Sequence, residues 1–241
     1  MQLASSIIPV SSLSLPEKNA LYALLSRSFL HVSYSGFLRD LHQKHWVILL
    51  RDADSSVIAG FSTLALFKTM VDGRPVNAFY SGDTIIDRPY WGTQALARVW
   101  LNFVFSRVDQ QPDINWFWFL ICKGYRTYRY LPVYFKTYYP HVEKPTPLYE
   151  QTVLNSLATQ LFHDLYNSQT GVIYQPDDYR LQPGISDISA RELSNRHIAF
   201  FQQRNPLWSQ GSELACLTEL SLDNLRSIGI RSLNRALLNA A

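Results

Sequence analysis

The spacing of apolar positions changes along the chain, and each change predicts an element. Ser5–Val10 is a short apolar run that reads as a first strand. Ser14 then precedes Leu15-Pro16-Glu17, the residue types of a helix N-cap and first turn, and Leu21, Leu24, Leu25 and Phe29 recur at helical spacing. A second helix is predicted over Tyr34–Gln43, with Phe37, Leu38 and Leu41 on one face. From His45 the period shortens. His45–Arg51, Val57–Thr69 and Arg74–Asp87 read as strands joined by a polar turn at Asp52–Ser56 and a hairpin at Asp72-Gly73, which predicts an antiparallel meander.

Val76–Phe105 reads as strand, short turn with Pro89 and Gly92, then helix, a sequence of elements that commonly presents unpaired backbone N–H groups to an anion. Gln110-Gln111-Pro112-Asp113 ends that helix, and Asn115–Cys122 is apolar throughout, as expected of a strand buried on both faces. Lys123-Gly124 breaks it, and Pro132 excludes a long regular helix over Tyr125–Phe135. Pro140, Pro145 and Pro147 mark a boundary, which predicts a domain over residues 1–145 and an extension over 146–241 that packs on it. In the extension the pattern predicts helices at Leu148–Tyr166 and Ser189–Gln203, a polar loop at Gln175–Asp187, one strand at Glu213–Leu220 and a basic terminal helix at Leu222–Leu238. The fold class is α+β.

Composition narrows the setting. Of 241 residues, 47% are hydrophobic and 17% charged, enough to build a sizeable core. A net charge of +3 is too small to call for a nucleic-acid partner. Cys122 and Cys216 are far apart without metal-ligand spacing, so neither a disulfide scaffold nor a metal site is expected, and a reducing cytoplasmic setting is. No apolar run is long enough for a membrane span. Aromatic residues make up 14%, with 14 tyrosines, a composition suited to an aromatic core or to an amphipathic pocket.

The order strand, two helices, three antiparallel strands, turn, helix, strand and helix over residues 5–140 resembles the GNAT superfamily of acyl-CoA-dependent N-acyltransferases, with Asp52–Phe61 and Val76–Phe105 as its local anchors. The resemblance implies a mixed, mostly antiparallel sheet flanked by helices. It further implies a fourth strand that bulges and splays from the fifth, with the pantetheine arm of acyl-CoA, or of a carrier-borne phosphopantetheine thioester, inserted between them. The backbone groups involved would be those of Thr84, Ile85 and Ile86, and the splayed neighbour Trp116–Cys122. The pyrophosphate loop would be Gly92, Thr93, Gln94 and Ala95, but the motif is altered. Trp91 stands where the family has Arg or Gln, and Gln94 and Leu96 stand where it has small residues.

The implied reaction is direct acyl transfer to a small acceptor, an amine by preference. Asp83, an acid within a strand beside Gly82, is the candidate base. Tyr125 and Tyr128 are the candidate proton donors to the leaving thiolate. Arg88, Lys123, Arg126 and Arg129 would meet an anionic donor or an acidic acyl carrier protein. His31, His42 and His45 fall on the acceptor side, and Cys122 reads as a buried small hydrophobe. The altered loop equally suits a non-catalytic GNAT-fold binding protein, whose extension would cover the site or form an oligomer interface. The terminal cations Arg226, Arg231 and Arg235 raise a third reading, a lipid-related enzyme at a membrane surface.

Overall fold

The computed structural model describes residues 2–111, 113–174 and 179–234. Of the expected elements, Pro112, residues 175–178 and the chain beyond 234, Arg235 included, lie outside them.

The N-terminal half follows the predicted order. β1 (Leu3–Pro9) leads to α1 (Leu15–Ser28), whose start is a complete capping box: Glu17 N donates to Ser14 Oγ at 3.4 Å and Ser14 N to Glu17 Oε2 at 2.8 Å. α2 (Tyr34–His42) is capped by Ser33. β2 (Trp46–Asp52), β3 (Ile58–Val71) and β4 (Arg74–Ile86) form the meander, and at its hairpin Asp72 and Gly73 adopt φ of 49° and 74°, the left-handed pair that matches strand twist. After a single helical turn at Arg88–Tyr90 come α3 (Ala95–Val108) and β5 (Asn115–Cys122).

Beyond β5 the sequence pattern was less informative. Tyr125–Phe135 divides into two short helices, α4 (Tyr125–Tyr128) and α5 (Tyr130–Tyr134). α6 (Leu148–Phe162) follows the prolines, and the predicted Ser189–Gln203 helix is interrupted into α7 (Ala190–Leu193) and α8 (Arg196–Arg204). Of the basic terminal helix only α9 (Ser227–Ser232) is formed among the described residues. The extension carries three strands rather than one, β6 (Tyr166–Asn167), β7 (Val172–Ile173) and β8 (Glu213–Glu219).

Those strands join the sheet. The described residues form one eight-stranded sheet in the order β1-β2-β3-β4-β5-β8-β7-β6. Every neighbouring pair is antiparallel except β4 and β5. Alternation along the strands divides the core. Ile48, Leu50, Leu64 and Phe79 face α3, whereas Val47, Leu49 and Phe61 face α1 and α2, and Ala65, Ala78 and Tyr80 face α6. No helix among the described residues is long and apolar enough to cross a membrane.

Candidate active site

Two departures from regular pairing build the site. Between the pairs Ser62↔Thr84 and Leu64↔Ser81, β3 contributes one residue, Thr63, and β4 contributes two, Gly82 and Asp83. This is a β-bulge on β4. Gly82 suits the close packing there, because a Cβ would lie 2.6 Å from Thr63 Oγ1 and 2.7 Å from Lys44 Cε and would force those side chains to shift. At the same level, pairing of β4 with β5 stops at Ser81↔Leu120. Past that point β4 stays on β3 while β5 stays on β8, through Ile121↔Ala215 and Cys122↔Leu214. The two strands splay, as the resemblance implied.

A cleft of about 850 Å³ runs through the sheet at the splay. Its walls extend from Trp91, Tyr130 and Tyr134 on the α3 face to Leu24 and Phe29 on the α1 face, with Thr84, Ile85 and Ile86 along one edge. Asp87 N donates to Ala59 O at 2.8 Å, so strand alternation turns Ile85 N–H toward β3 and leaves Thr84 and Ile86 directed at the gap. The Ile86 carbonyl confirms this orientation, since it accepts from Trp91 Nε1 at 2.7 Å. Thr84 and Ile86 therefore supply backbone donors to the cleft, and Ile85 does not.

The altered loop keeps several features of an anion site. Gly92, at φ 87°, lines the cleft with Thr93 and Gln94. Ala95 N donates instead to Thr93 Oγ1 at 3.2 Å, so Ala95 drops out as a ligand-binding amide. Leu96 is 4% exposed and packs into the core, which keeps its side chain out of the loop. Trp91 carries two guanidinium groups against its ring, Arg126 at 4.2 Å and Arg88 at 5.5 Å. With Arg27 and Arg129 they give the cleft a cationic rim, relieved by Asp87, which pairs with Arg27 at 3.1 Å. The charge missing at position 91 is thus present on its neighbours.

Lys123 has a different role from the one expected. It is 6% exposed, its Nζ donates to Tyr179 O at 2.6 Å and Gly211 O at 3.2 Å, and it pairs with Glu213 at 3.2 Å. It fastens the extension to the end of β5, and a committed ammonium of this kind does not serve an incoming carrier.

The two predicted proton donors are also misplaced. Tyr128 is fully buried, its hydroxyl donates to Pro140 O at 3.0 Å, and burial pushes its pKa far up. Tyr125 is 4% exposed in the α3-side core. Neither lines the cleft. Tyr130 does, together with Tyr134, because the break at Arg129 between α4 and α5 changes the helical phase. The Tyr130 hydroxyl makes no hydrogen bond among the described residues, and burial pushes its pKa up to about 12, so it holds its proton at neutral pH. The run of tyrosines at 125, 128, 130 and 134 was visible in the sequence, but the phase break was not.

Asp83 projects to the α1 face, beyond the cleft wall. Burial is the main reason its pKa rises to about 7, reinforced by Asp40 and opposed by Lys44. Its Oδ1 accepts from Tyr179 Oη at 3.2 Å, and the Tyr179 ring stacks on Phe29 at 4.8 Å. Tyr179 begins a strap in which Leu30 N donates to Arg180 O at 2.8 Å and Gln182 N to Ser28 O at 2.9 Å. Leu181, Gln182, Pro183, Ile185 and Ser186 of this strap then line the cleft. Nothing in the sequence pattern marked Tyr179 or the strap. His31, His42 and His45 do not line the cleft, and His45 Nδ1 accepts from Leu66 N at 3.1 Å. Cys122 is fully buried, as expected.

The bulge on β4, the splay against a parallel β5 and the helix between β4 and β5 follow the strand arrangement that the resemblance to the GNAT superfamily implied. No family model matches the sequence, and no curated relative does. Solved structures to which the chain is similar include a protein of Enterococcus faecalis V583 described as a probable N-acyltransferase (11% identity, TM-score 0.41, 56% of this chain and 33% of that one). Two others are the GNAT family N-acetyltransferase YhbS of Escherichia coli in complex with CoA (18%, 0.36, 54% and 69%) and glucosamine-6-phosphate N-acetyltransferase of Arabidopsis thaliana (15%, 0.38, 54% and 90%). The chain spans a third of the length of the first of these.

Proposed function

We propose that the protein is an acyltransferase that takes an acyl group from a coenzyme A or carrier-borne pantetheine thioester and passes it to a small amine. The observation that carries this reading is the splay itself, a gap with the Thr84 and Ile86 amides along one edge and an arginine-rich rim at its mouth. A pantetheine arm is a narrow chain of amides that pairs with such backbone groups, and the rim suits its phosphate.

In this reading the acceptor nitrogen attacks the thioester carbonyl, the C–N bond forms and the C–S bond breaks. A backbone N–H of the splayed edge stabilises the oxyanion. Asp83, which lies past the cleft wall, takes the proton from nitrogen by way of a water, its raised pKa matching that task, and Tyr130 donates a proton to the departing thiolate. Thermal unfolding with coenzyme A, acetyl-CoA and phosphopantetheine tests the donor site: at 100 times Kd a ligand adds about 2.7 kcal/mol. A rise with coenzyme A and phosphopantetheine alike supports a site centred on pantetheine, and no rise with any of the three refutes the reading.

One observation favours a second reading, a non-catalytic binding protein: the base is covered by Tyr179 and the strap. Donor binding without acyl transfer across a panel of primary amines would select it.

A further inference from the structure

A second, much smaller chamber opens off the cleft. It shares Thr84, Thr127, Tyr130 and Tyr134 with the cleft and lies on the α3 side of the point where β4 and β5 part. Its volume is about 30 Å³, and its far wall is Trp100 and Trp118 with Leu96, Leu101 and Phe135 around them.

That wall is unusually well fixed. The Trp100 and Trp118 rings lie 4.3 Å apart, and both indoles donate to one acceptor, Ser81 Oγ, at 3.2 and 3.0 Å. Ser81 is 6% exposed and is the last β4 residue paired with β5, so the hydroxyl that holds both indoles is anchored on the sheet. Trp118 is itself a β5 residue paired to Phe79, and Trp100 is buried within α3. Neither ring can turn aside without leaving an indole N–H unpaired in the core.

We infer that Trp100 and Trp118, pinned on Ser81, form a stop that restricts the donor to short acyl groups, of about two or three carbons. A buried water needs roughly 10–15 Å³ of such space, so the chamber accepts about two groups of that size beyond the carbonyl. A longer chain would have to displace the indoles. This inference rests on the donor-site reading above, since it assigns the chamber beside the same cleft.

The test measures binding of coenzyme A and of acetyl-, propionyl-, butyryl-, hexanoyl- and octanoyl-CoA to the full chain by titration calorimetry. Wild type is expected to bind acetyl- and propionyl-CoA with similar affinity and hexanoyl- and octanoyl-CoA at least tenfold more weakly. Trp100→Leu and Trp118→Leu, which open the far wall, are expected to recover that loss for hexanoyl-CoA. Trp100→Phe, a smaller change, keeps the question answerable if a leucine variant does not fold. Equal affinity of wild type across the series overturns the inference, as does an unchanged cut-off in a folded variant. If coenzyme A itself does not bind, the donor reading fails and this inference with it, whereas coenzyme A binding without length discrimination removes this inference alone.

Discussion

Tyr179 donates a hydrogen bond to Asp83 at 3.2 Å although the two residues come from different halves of the chain, one from the bulge of β4 and the other from the strap of the extension. The candidate base is therefore set by residues on both sides of the proline boundary. Burial raises its pKa, the charges of Asp40 and Glu213 add to that, and together they outweigh the opposing Lys44 ammonium and Tyr179 hydrogen bond.

The raised pKa has a definite sign. The folded state retains the Asp83 proton up to about pH 7, whereas the unfolded chain releases it near pH 4, so between those values the native state binds more protons and stability falls as pH rises. Asp83→Asn should remove that slope. Melting curves should show a Tm gain of roughly 2–6 °C at pH 8 and a smaller one at pH 5. A variant less stable than wild type at pH 8 would mean that the carboxylate is well paired there.

Tyr130→Phe is expected to lower turnover about 10- to 100-fold while the donor Kd stays within about twofold of wild type. Tyr128→Phe should behave oppositely. It loses the bond to Pro140 O and about 1 kcal/mol of stability, with turnover per folded molecule unchanged. Steady-state rates beside denaturant titrations separate the two, and a rate defect confined to Tyr128→Phe would reverse the assignment.

The cationic rim should be visible in the salt dependence of donor binding. Removing the Arg88 and Arg126 guanidiniums with R88Q/R126Q is expected to weaken coenzyme A about tenfold at low salt and to flatten the dependence of Kd on ionic strength. Both groups lie on Trp91, so indole fluorescence in the same titration reports whether that ring has moved.

Asp52 provides an acid-side test. Tyr90 Oη donates to its Oδ2 at 2.7 Å, and that bond, followed by those from Ser55, holds the carboxyl down to about 2. A depressed pKa adds stability above the unfolded value near 4, and that stability is lost as pH falls toward 2. Tyr90→Phe removes the largest cause. Its acid unfolding midpoint should move to higher pH, and circular dichroism along an acid titration would detect a midpoint that stays in place.

The sequence was most legible where local chemistry decides the structure. The Ser14–Glu17 cap, the Asp72-Gly73 hairpin and the apolar β5 run all follow from nearest neighbours. Gly82 beside Asp83 pointed correctly to a bulge, because few strands tolerate that pair without one. What escaped was set by contacts distant in sequence. β6 and β7 are two residues each, too short for any periodicity, and exist because β8 offers them an edge. Lys123 looked like a surface cation, and only its partners at Tyr179, Gly211 and Glu213 explain its burial. The spacing of Tyr125 and Tyr128 puts them on one helical face, but that face of α4 is buried, and the cleft is met instead by Tyr130 and Tyr134 of α5.

β5 owes its second partner to a strand more than ninety residues later, and this has a consequence during synthesis. Until β8 leaves the ribosome, Asn115–Cys122 presents one whole edge of an aromatic, uncharged strand with nothing to pair with. Such edges recruit other chains. A nascent or truncated chain ending before residue 213 should therefore aggregate rather than populate a smaller native domain. The strand that flanks the cleft is also the one that makes delayed completion of the chain hazardous.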